Sequence, residues 1–430
     1  MPEVSGFRAL RFVEDRVGSY DNVVTPPFDV INPEERATLM AKSPYNWCHV
    51  ILPEERNGMD KYASAADLVT HWQNDGVMAQ DDADSLYILE QDFTDLDGHR
   101  RTRRAFFAAV RIPEADERTI LGHERTFAWK VTDRLALTEA TGLNQGAVFL
   151  LYADPEKELA KFYAQTQERE PDMVAHTIDG VTQRMWRVPY DPAVTKFFDG
   201  ESLYIADGHH RYRTACEYRD KARQKHGAPK AGEPVPRSEY VMAGLVDMGD
   251  PGLIVYPAHR VLDPPVELDI PHFMKALERR FDIQQIHDNL PHHMDVAKRH
   301  TLQAFHGCVM GLVIHGVGQF VLQLKHIDRV EFLGDDHGPA WRDLDVAVLH
   351  RGILERKMGL PQDAEFIYEV NTQKAIEMVT SGQKKMAFIL DKLRPEQICA
   401  CADADEYMPQ KATYFFPKLC SGAVMHLLAP

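Results

Sequence analysis

The stretch Tyr204–Ala215, YIADGHHRYRTA, joins an apolar run to a polar, helix-like segment, and it decides the predicted fold. The apolar run predicts a strand, and the residues after Gly208 predict a helix whose apolar stripe includes Tyr212, Ala215 and Cys216. A glycine at such a turn lets backbone N–H groups approach a ligand, and the first turn of a helix leaves N–H donors unpaired at its positive end. The stretch therefore predicts a turn that binds an anion, typically a phosphate.

The polar side chains of this turn indicate chemistry beyond anion binding. Arg211 offers a fixed cation whose forked donors suit phosphate oxygens, and His209 and His210 can exchange protons near neutral pH. Asp207 would repel a bound phosphate unless a Mg²⁺ ion bridges the two, or unless the carboxylate takes a proton from a substrate hydroxyl. The alternative is that Asp207 is only the helix N-cap, and its replacement by alanine then costs roughly 1 kcal/mol of stability.

Strand-like and helix-like segments alternate along almost the whole chain. Ser85–Ile112 predicts a hairpin around the turn sequence DLDGH, and a second hairpin is predicted around Asp179 and Gly180. Asn32 is a predicted N-cap because Pro33 follows it at the first helical position. Since hairpins occur among helices, we expect mixed sheets with flanking helices, a fold of the α/β or α+β class.

The chain has 430 residues, enough for two or three domains. A shift in composition at Leu262–Pro265, LDPP, marks a candidate boundary. The prediction is a domain at 1–262 that contains the turn, and a second α/β domain at 263–430. We expect the C-terminal segment of that second domain to complete or cover the site.

Composition excludes several classes of protein. The formal net charge of −16 argues against non-specific nucleic-acid binding, which relies on clustered lysine and arginine. No apolar run approaches the roughly 20 residues that span a bilayer, and the first residues lack the apolar core of a signal peptide. The six cysteines are scattered, as is typical of reduced thiols. We therefore expect a cytoplasmic protein that binds small molecules and neither nucleic acid nor membrane; a homodimer stays open.

Gly208–Ala215, GHHRYRTA, resembles the signature turn of the ParB/sulfiredoxin superfamily. It is most similar to the Asp-Gly-His-x-Arg form of the free serine kinases, which Asp207, Gly208, His209 and Arg211 match. The resemblance implies a nucleotide-binding core in which the turn holds phosphates. His209 stands where sulfiredoxins have cysteine, so sulfinic-acid reduction is not expected.

The chain as a whole resembles an uncharacterised bacterial family, a domain of unknown function. The shared segments are TPPFDVI (Thr25–Ile31), HERT (His123–Thr126), DRL (Asp133–Leu135), ADGHHRY, and MPQKATYFFPK (Met408–Lys418). Ala412 departs from the family pattern, where serine is usual, so we assign it no role.

Two of these segments add candidate site residues. A kinase needs a carboxylate near the hydroxyl that it phosphorylates, and Glu124 is the second choice for that base after Asp207. Arg125 is a candidate phosphate contact, and the alternative is that both residues belong to a solvated charged loop. Lys411 is a candidate contact in MPQKATYFFPK, whose aromatic residues are expected to pack.

These observations predict a nucleotide-dependent phosphotransfer enzyme that acts, in either direction, on a small hydroxyl compound such as serine or phosphoserine. The expected cofactors are ATP or ADP and Mg²⁺. The predicted site comprises catalytic Asp207, His209 and Glu124, nucleotide-binding Gly208, His210, Arg211, Arg125 and Lys411, and Asp207 as metal ligand. Three alternatives stay open: a nucleotide-binding switch without small-molecule chemistry, a metal-dependent phosphatase, and a ligand-binding or structural protein in which Asp207 is only a helix cap.

Overall fold

A computed structural model of the protein describes residues 2–166, 168–230, 232–302, 307–362 and 364–428. Internal contacts divide the chain into two compact units. The first unit comprises Met1–Ile254 and Pro417–Pro430, and the second comprises Val255–Phe416.

The strands of the described residues are β1 (Val4–Ser5), β2 (Leu10–Phe12), β3 (Met78–Gln80), β4 (Ser85–Thr94), β5 (Arg100–Arg111), β6 (Ile120–Leu121), β7 (Leu143–Asn144), β8 (Val148–Tyr152), β9 (Met173–His176), β10 (Thr182–Pro189), β11 (Leu203–Asp207), β12 (Tyr240–Asp247), β13 (Ile254–Tyr256), β14 (His259–Leu262), β15 (Phe281–Ile286), β16 (Val309–Ile314), β17 (Gly318–Leu324), β18 (Ile367–Glu369), β19 (Met386–Ile389), β20 (Tyr414–Phe416) and β21 (His426–Leu427).

The α-helices are α1 (Glu14–Val17), α2 (Pro33–Lys42), α3 (Cys48–Ile51), α4 (Lys61–Asn74), α5 (Ala128–Thr141), α6 (Ala160–Ala164), α7 (Pro192–Phe197), α8 (His209–His226), α9 (Ile270–Glu278), α10 (Leu290–Leu302), α11 (Arg329–Leu333), α12 (Pro339–Arg342), α13 (Asp345–Ala347), α14 (Thr372–Thr380) and α15 (Pro395–Asp403). A π-helix spans Val348–Glu355, and 3-10 turns span Tyr20–Asn22 and Arg237–Glu239. Among the described residues, no helix has the length and apolar character required to cross a membrane.

The first unit is built on a mixed sheet, which has nine strands in the described part of the chain. The strand order is β6-β11-β8-β12-β5-β4-β10-β9, with β1 also paired to β5. β11 runs parallel to β6 and β12 runs parallel to β8, whereas the other pairs are antiparallel. Mixed pairing with flanking helices confirms the predicted fold class.

Local sequence signals account for several elements of this unit. Both predicted hairpins are confirmed, since β4 pairs with β5 and β9 pairs with β10, in each case across a glycine with positive φ. Asn32 caps α2, and the Glu35 carboxylate accepts a reciprocal bond from the Asn32 backbone N–H, which completes a capping box. The predicted stripe of α8 is also confirmed, because Ala215 is buried in the core and Tyr212 and Cys216 pack against it.

The second unit contains an antiparallel sheet that has, among the described residues, the order β15-β17-β16-β19-β14-β18. Its buried core combines apolar residues of β14, β15, β16, β17 and β19 with residues of α10 and α14. The strands β13 and β20 form a separate pair.

The boundaries of the two units differ from the predicted domains in two places. β14 lies between β18 and β19 in the second sheet, so the change in composition at Leu262–Pro265 marks the end of an inner strand. Residues 417–428 belong to the first unit, where β21 pairs with β7 and Ser421 pairs with Thr25. The first unit is therefore discontinuous in sequence.

Candidate functional site

The turn between β11 and α8 depends on Gly208. Its φ of 91° lies in the left-handed region, and a Cβ built there would lie 3.0 Å from the guanidinium of Arg211. Gly208 is itself the N-cap residue, and no described side chain caps α8. Because the N–H groups of the first helical turn have no intrahelical partners, this turn offers unpaired donors to an anion.

Asp207 binds two cations. Its Oδ1 accepts a hydrogen bond of 2.6 Å from Lys418 Nζ, and its Oδ2 accepts one of 2.6 Å from Arg211 Nη2. Burial alone raises the pKa of Asp207, but the charges of Lys418 and Arg211 outweigh burial and lower the pKa to about 2. The interpretation of Asp207 as the cap of α8 is therefore excluded, since the carboxylate holds side chains and not the helix end.

The same contacts bear on the predicted metal role of Asp207. Both carboxylate oxygens already accept from cations, Lys418 and Arg211. A Mg²⁺ ion needs oxygen ligands and negative charge around it, so these residues do not fit a metal at Asp207. Among the described residues, a group that could hold a metal ion lies elsewhere, in the β4–β5 turn at Asp95, Asp97 and His99.

Arg211 is held in place from two sides. Besides its bond to Asp207, its Nη1 donates to the carbonyl oxygen of Ala147, just before β8. Its Nε is buried and makes no hydrogen bond within the described residues. A Cβ at Gly146 would lie 3.0 Å from Ser421 Oγ and 3.7 Å from Arg211 Nη1. The guanidinium is thus fixed between the β11–α8 turn and the segment before β8.

His209 and Glu124 lie together at the start of α8. The backbone N–H of His123 donates to His209 Nε2 at 3.2 Å, so the ring proton of a neutral His209 is on Nδ1. That Nδ1 lies 3.8 Å from Glu124 Oε2. Burial lowers the pKa of His209 well below its usual value, so the ring is neutral at pH 7. The structure therefore brings the predicted residues Glu124 and His209 to the same turn as Asp207.

The remaining predicted residues have different surroundings. His210 Nε2 accepts a 3.0 Å hydrogen bond from the N–H of Phe127, and its ring is nearly parallel to the Phe127 ring, at an angle of 11°. Arg125 is exposed, directly after Glu124. Lys411 belongs to the second unit, where its Nζ lies 5.5 Å from the centre of the Tyr368 ring. A role of Arg125 or Lys411 in binding nucleotide stays a prediction.

Lys418 is a site residue that sequence reasoning left out of the predicted set. It ends the motif MPQKATYFFPK, in which Lys411 was the chosen candidate. Its backbone carbonyl accepts a 2.9 Å bond from Gln91 Nε2, and its side chain is 8% exposed. The sequence signal for Lys418 is a lysine within an apolar segment, because a buried lysine needs a carboxylate partner.

A second buried cation, Arg103, was also missed. Its side chain is fully buried, and it donates from Nε and Nη2 to Gln91 Oε1 while its guanidinium lies 4.7 Å from the centre of the Phe149 ring. Burial lowers its pKa to about 9. Gln91 also binds the backbone carbonyl of Lys418, so Arg103 is connected to Asp207 through Gln91 and the side chain of Lys418.

Together the fold and the site define a mixed α/β protein with an uncapped strand-to-helix turn beside paired charges. The sequence profile of a family described as protein of unknown function, DUF1015, matches residues 4–347, and the chain belongs to this family. This confirms the predicted resemblance to an uncharacterised family. No curated protein matches the sequence significantly.

A comparison with solved structures also gave matches. A free serine kinase in complex with AMP shares 15% identity, with a TM-score of 0.32, over 69% of this chain and 83% of the kinase. A conserved hypothetical protein from Pyrococcus furiosus shares 13% identity, with a TM-score of 0.33, over 70% of this chain and 89% of that protein. SbnI with a C-terminal truncation, from Staphylococcus aureus, shares 10% identity, with a TM-score of 0.35, over 74% of this chain and 86% of that protein.

Proposed function

We propose that this protein is an enzyme that transfers a phosphoryl group between a nucleotide, ATP or ADP, and a small hydroxyl compound of the serine type. The observation that carries the proposal is the turn at Gly208. There an uncapped helix start lies directly beside a carboxylate that holds two cations.

The phosphates of the nucleotide bind at the start of α8. The N–H groups of its first turn point toward the anion, and the positive end of the helix dipole favours negative charge. The guanidinium of Arg211 and the ammonium group of Lys418 add attraction for phosphate oxygens. Gly208 keeps the backbone accessible, because a side chain there would meet Arg211.

Glu124 is the proposed general base. Asp207 was the first choice from sequence, but both of its oxygens accept from cations, and a pKa of about 2 makes it a weak base at neutral pH. Glu124 is about one quarter exposed and lies beside the Nδ1–H of His209, which can orient it. Asp207 instead positions Arg211 and Lys418.

The proposed transfer requires no reactant besides the nucleotide and the hydroxyl compound. The substrate hydroxyl oxygen attacks the terminal phosphorus, the bond from that phosphorus to the bridging oxygen of the nucleotide breaks, and Glu124 takes the hydroxyl proton. Catalysis then rests on positioning and on neutralising phosphate charge. Serine is the first acceptor to test, because Asp207, Gly208, His209 and Arg211 resemble the turn of free serine kinases.

Turnover with a panel of acceptors tests the proposal. The full chain is incubated with ATP or ADP, Mg²⁺ and single amino acids, and ³¹P NMR follows phosphoserine and the nucleotides. We expect a phosphorylated product that appears only with a hydroxyl acceptor. The absence of turnover with every acceptor, together with no thermal shift from nucleotide, contradicts the proposal.

Two variants locate the chemistry. Arg211→Ala is expected to abolish turnover, whereas Arg213→Ala is the matched control, because Arg213 lies on the same helix but is exposed and pairs with Glu217. Glu124→Gln is expected to lower kcat about 100-fold or more while nucleotide still binds, the usual loss for a general base. Full turnover in Arg211→Ala means that the site lies elsewhere.

The nucleotide-binding switch and the metal-dependent phosphatase predict different kinetics in the same assay. A nucleotide-binding switch hydrolyses nucleotide slowly and at a rate that serine does not change. A metal-dependent phosphatase releases phosphate from phosphoserine without any nucleotide.

A further inference from the structure

Two aromatic side chains at the start of α5 are exposed to solvent. Trp129 is 69% exposed and Phe127 is 43% exposed. The other four tryptophans of the chain are almost completely buried, at 0% to 6% exposure: Trp47, Trp72, Trp186 and Trp341. An exposed tryptophan leaves a large apolar surface in water, so the Trp129 ring offers a face that a ligand can cover.

A single cation links the two rings. Lys130 Nζ lies 5.5 Å from the centre of the Phe127 ring and 5.4 Å from the centre of the Trp129 ring. We call Phe127, Trp129 and Lys130 the aromatic platform. Its two ring faces and its positive charge match a ligand that is both aromatic and anionic.

The aromatic platform is tied to the proposed phosphate site. The N–H of Phe127 donates to His210 Nε2 at 3.0 Å, and the two rings lie nearly parallel with centres 5.9 Å apart. His210 is the second residue of α8, whose first turn carries the unpaired donors. Glu124, the proposed base, precedes Phe127 by three residues.

We propose that the aromatic platform is the nucleobase site, on which the base of the nucleotide stacks while its phosphates bind at Gly208. This inference rests on the proposed function, because it assumes that the phosphates belong to a nucleotide. A nucleobase presents a flat π-face of the size of an indole ring, and the phosphates supply the negative charge that Lys130 attracts. Stacking tolerates any base, so we expect adenine and guanine nucleotides to bind with similar affinity.

Calorimetric titration with ADP and with pyrophosphate tests the inference, because pyrophosphate has the two phosphates of ADP and no base. In Trp129→Ala we expect ADP affinity to fall roughly tenfold or more, the loss of one base–aromatic stack, with pyrophosphate affinity unchanged. Trp129→Phe should retain most of the ADP affinity, because it keeps a ring. Tyr407→Ala, which removes an exposed aromatic ring of the second unit, is the control and should change neither affinity.

Tryptophan fluorescence gives an independent readout in the unmodified protein. Since Trp129 is the exposed tryptophan, iodide should quench its red-shifted emission and leave the buried tryptophans unaffected. We expect ADP to protect this emission from iodide and pyrophosphate to leave it accessible.

The outcomes separate the two proposals. If both ligands bind the wild type but Trp129→Ala weakens them equally, or if ADP gives no protection, the aromatic platform is not the base site and the phosphate site stands. If neither ligand binds the wild type, the proposed function and the inference both fail.

Discussion

At the scale of single residues, Asp207 accepts from Lys418 and Arg211, and both cations are themselves largely buried, at 8% and 10% exposure. Removal of the carboxylate leaves two charges in a poorly solvated place with a reduced set of acceptors. Breaking a buried ion pair by removing one partner costs about 3 kcal/mol or more, which exceeds the loss of a helix cap.

Asp207→Ala is therefore expected to lower the free energy of unfolding by about 3 kcal/mol. Asp60→Ala is the matched control, because Asp60 caps α4 through the N–H groups of Tyr62 and Ala63 and its loss costs about 1 kcal/mol. Urea denaturation of both variants checks the difference. Equal losses in the two variants contradict the ion-pair role of Asp207.

At the scale of elements, the start of α8 combines two requirements on one residue. Gly208 must adopt positive φ, and it must leave room for the Arg211 guanidinium 3.0 Å from its ideal Cβ position. Gly200 has nearly the same φ, 89°, but no atom lies within 4 Å of its ideal Cβ position. A comparison of alanine variants at the two glycines therefore distinguishes the effect of backbone strain from the effect of displacing Arg211.

Gly208→Ala and Gly200→Ala are both expected to lose about 1 kcal/mol of stability from the strained φ. Only Gly208→Ala should also weaken pyrophosphate binding, because its methyl group displaces Arg211. Thermal unfolding and calorimetry measure the two effects. Unchanged pyrophosphate affinity in Gly208→Ala contradicts the proposed position of the phosphates.

At the scale of the whole molecule, histidine burial sets the response to acid. Among the described residues, burial lowers the pKa of seven histidines: His49, His123, His209, His210, His259, His350 and His426. The unfolded chain takes up protons near pH 6.5 while these folded histidines stay neutral. The stability that they contribute is therefore fully present well above pH 6.5 and is lost as the pH falls below that value. Asp345 acts in the opposite direction, because burial raises its pKa to about 6.

We expect the midpoint of urea denaturation to fall clearly between pH 7 and pH 5. Each histidine with a folded pKa of about 4 contributes on the order of 2 kcal/mol to this loss. His426→Phe should reduce the pH dependence, because His426 Nδ1 is buried without a hydrogen-bond partner in the described part of the chain and its ring packs against Phe7. The same midpoint at both pH values contradicts the expectation.

How well a feature could be predicted from the sequence depended on how far apart its contacting residues lie along the chain. The turn at Gly208, the two hairpins and the Asn32 cap each depend on residues a few positions apart, and all were predicted. The bond from Lys418 to Asp207 joins residues 211 positions apart, and no local pattern specifies such a pair. The boundary between the two units also differs from the predicted domain boundary, because β14 is assigned to the second unit by its partners β18 and β19.

The discontinuity of the first unit also imposes an order on its synthesis. Translation produces residues 1–254 first, and at that stage β7 lacks its partner β21 and Asp207 lacks Lys418. Domains generally fold as units during synthesis, the N-terminal one first, but here β21 and Lys418 are made only after the whole second unit. A nascent chain therefore lacks part of the proposed phosphate site until Lys418 has been made, so chains that stop before Lys418 are expected to be inactive.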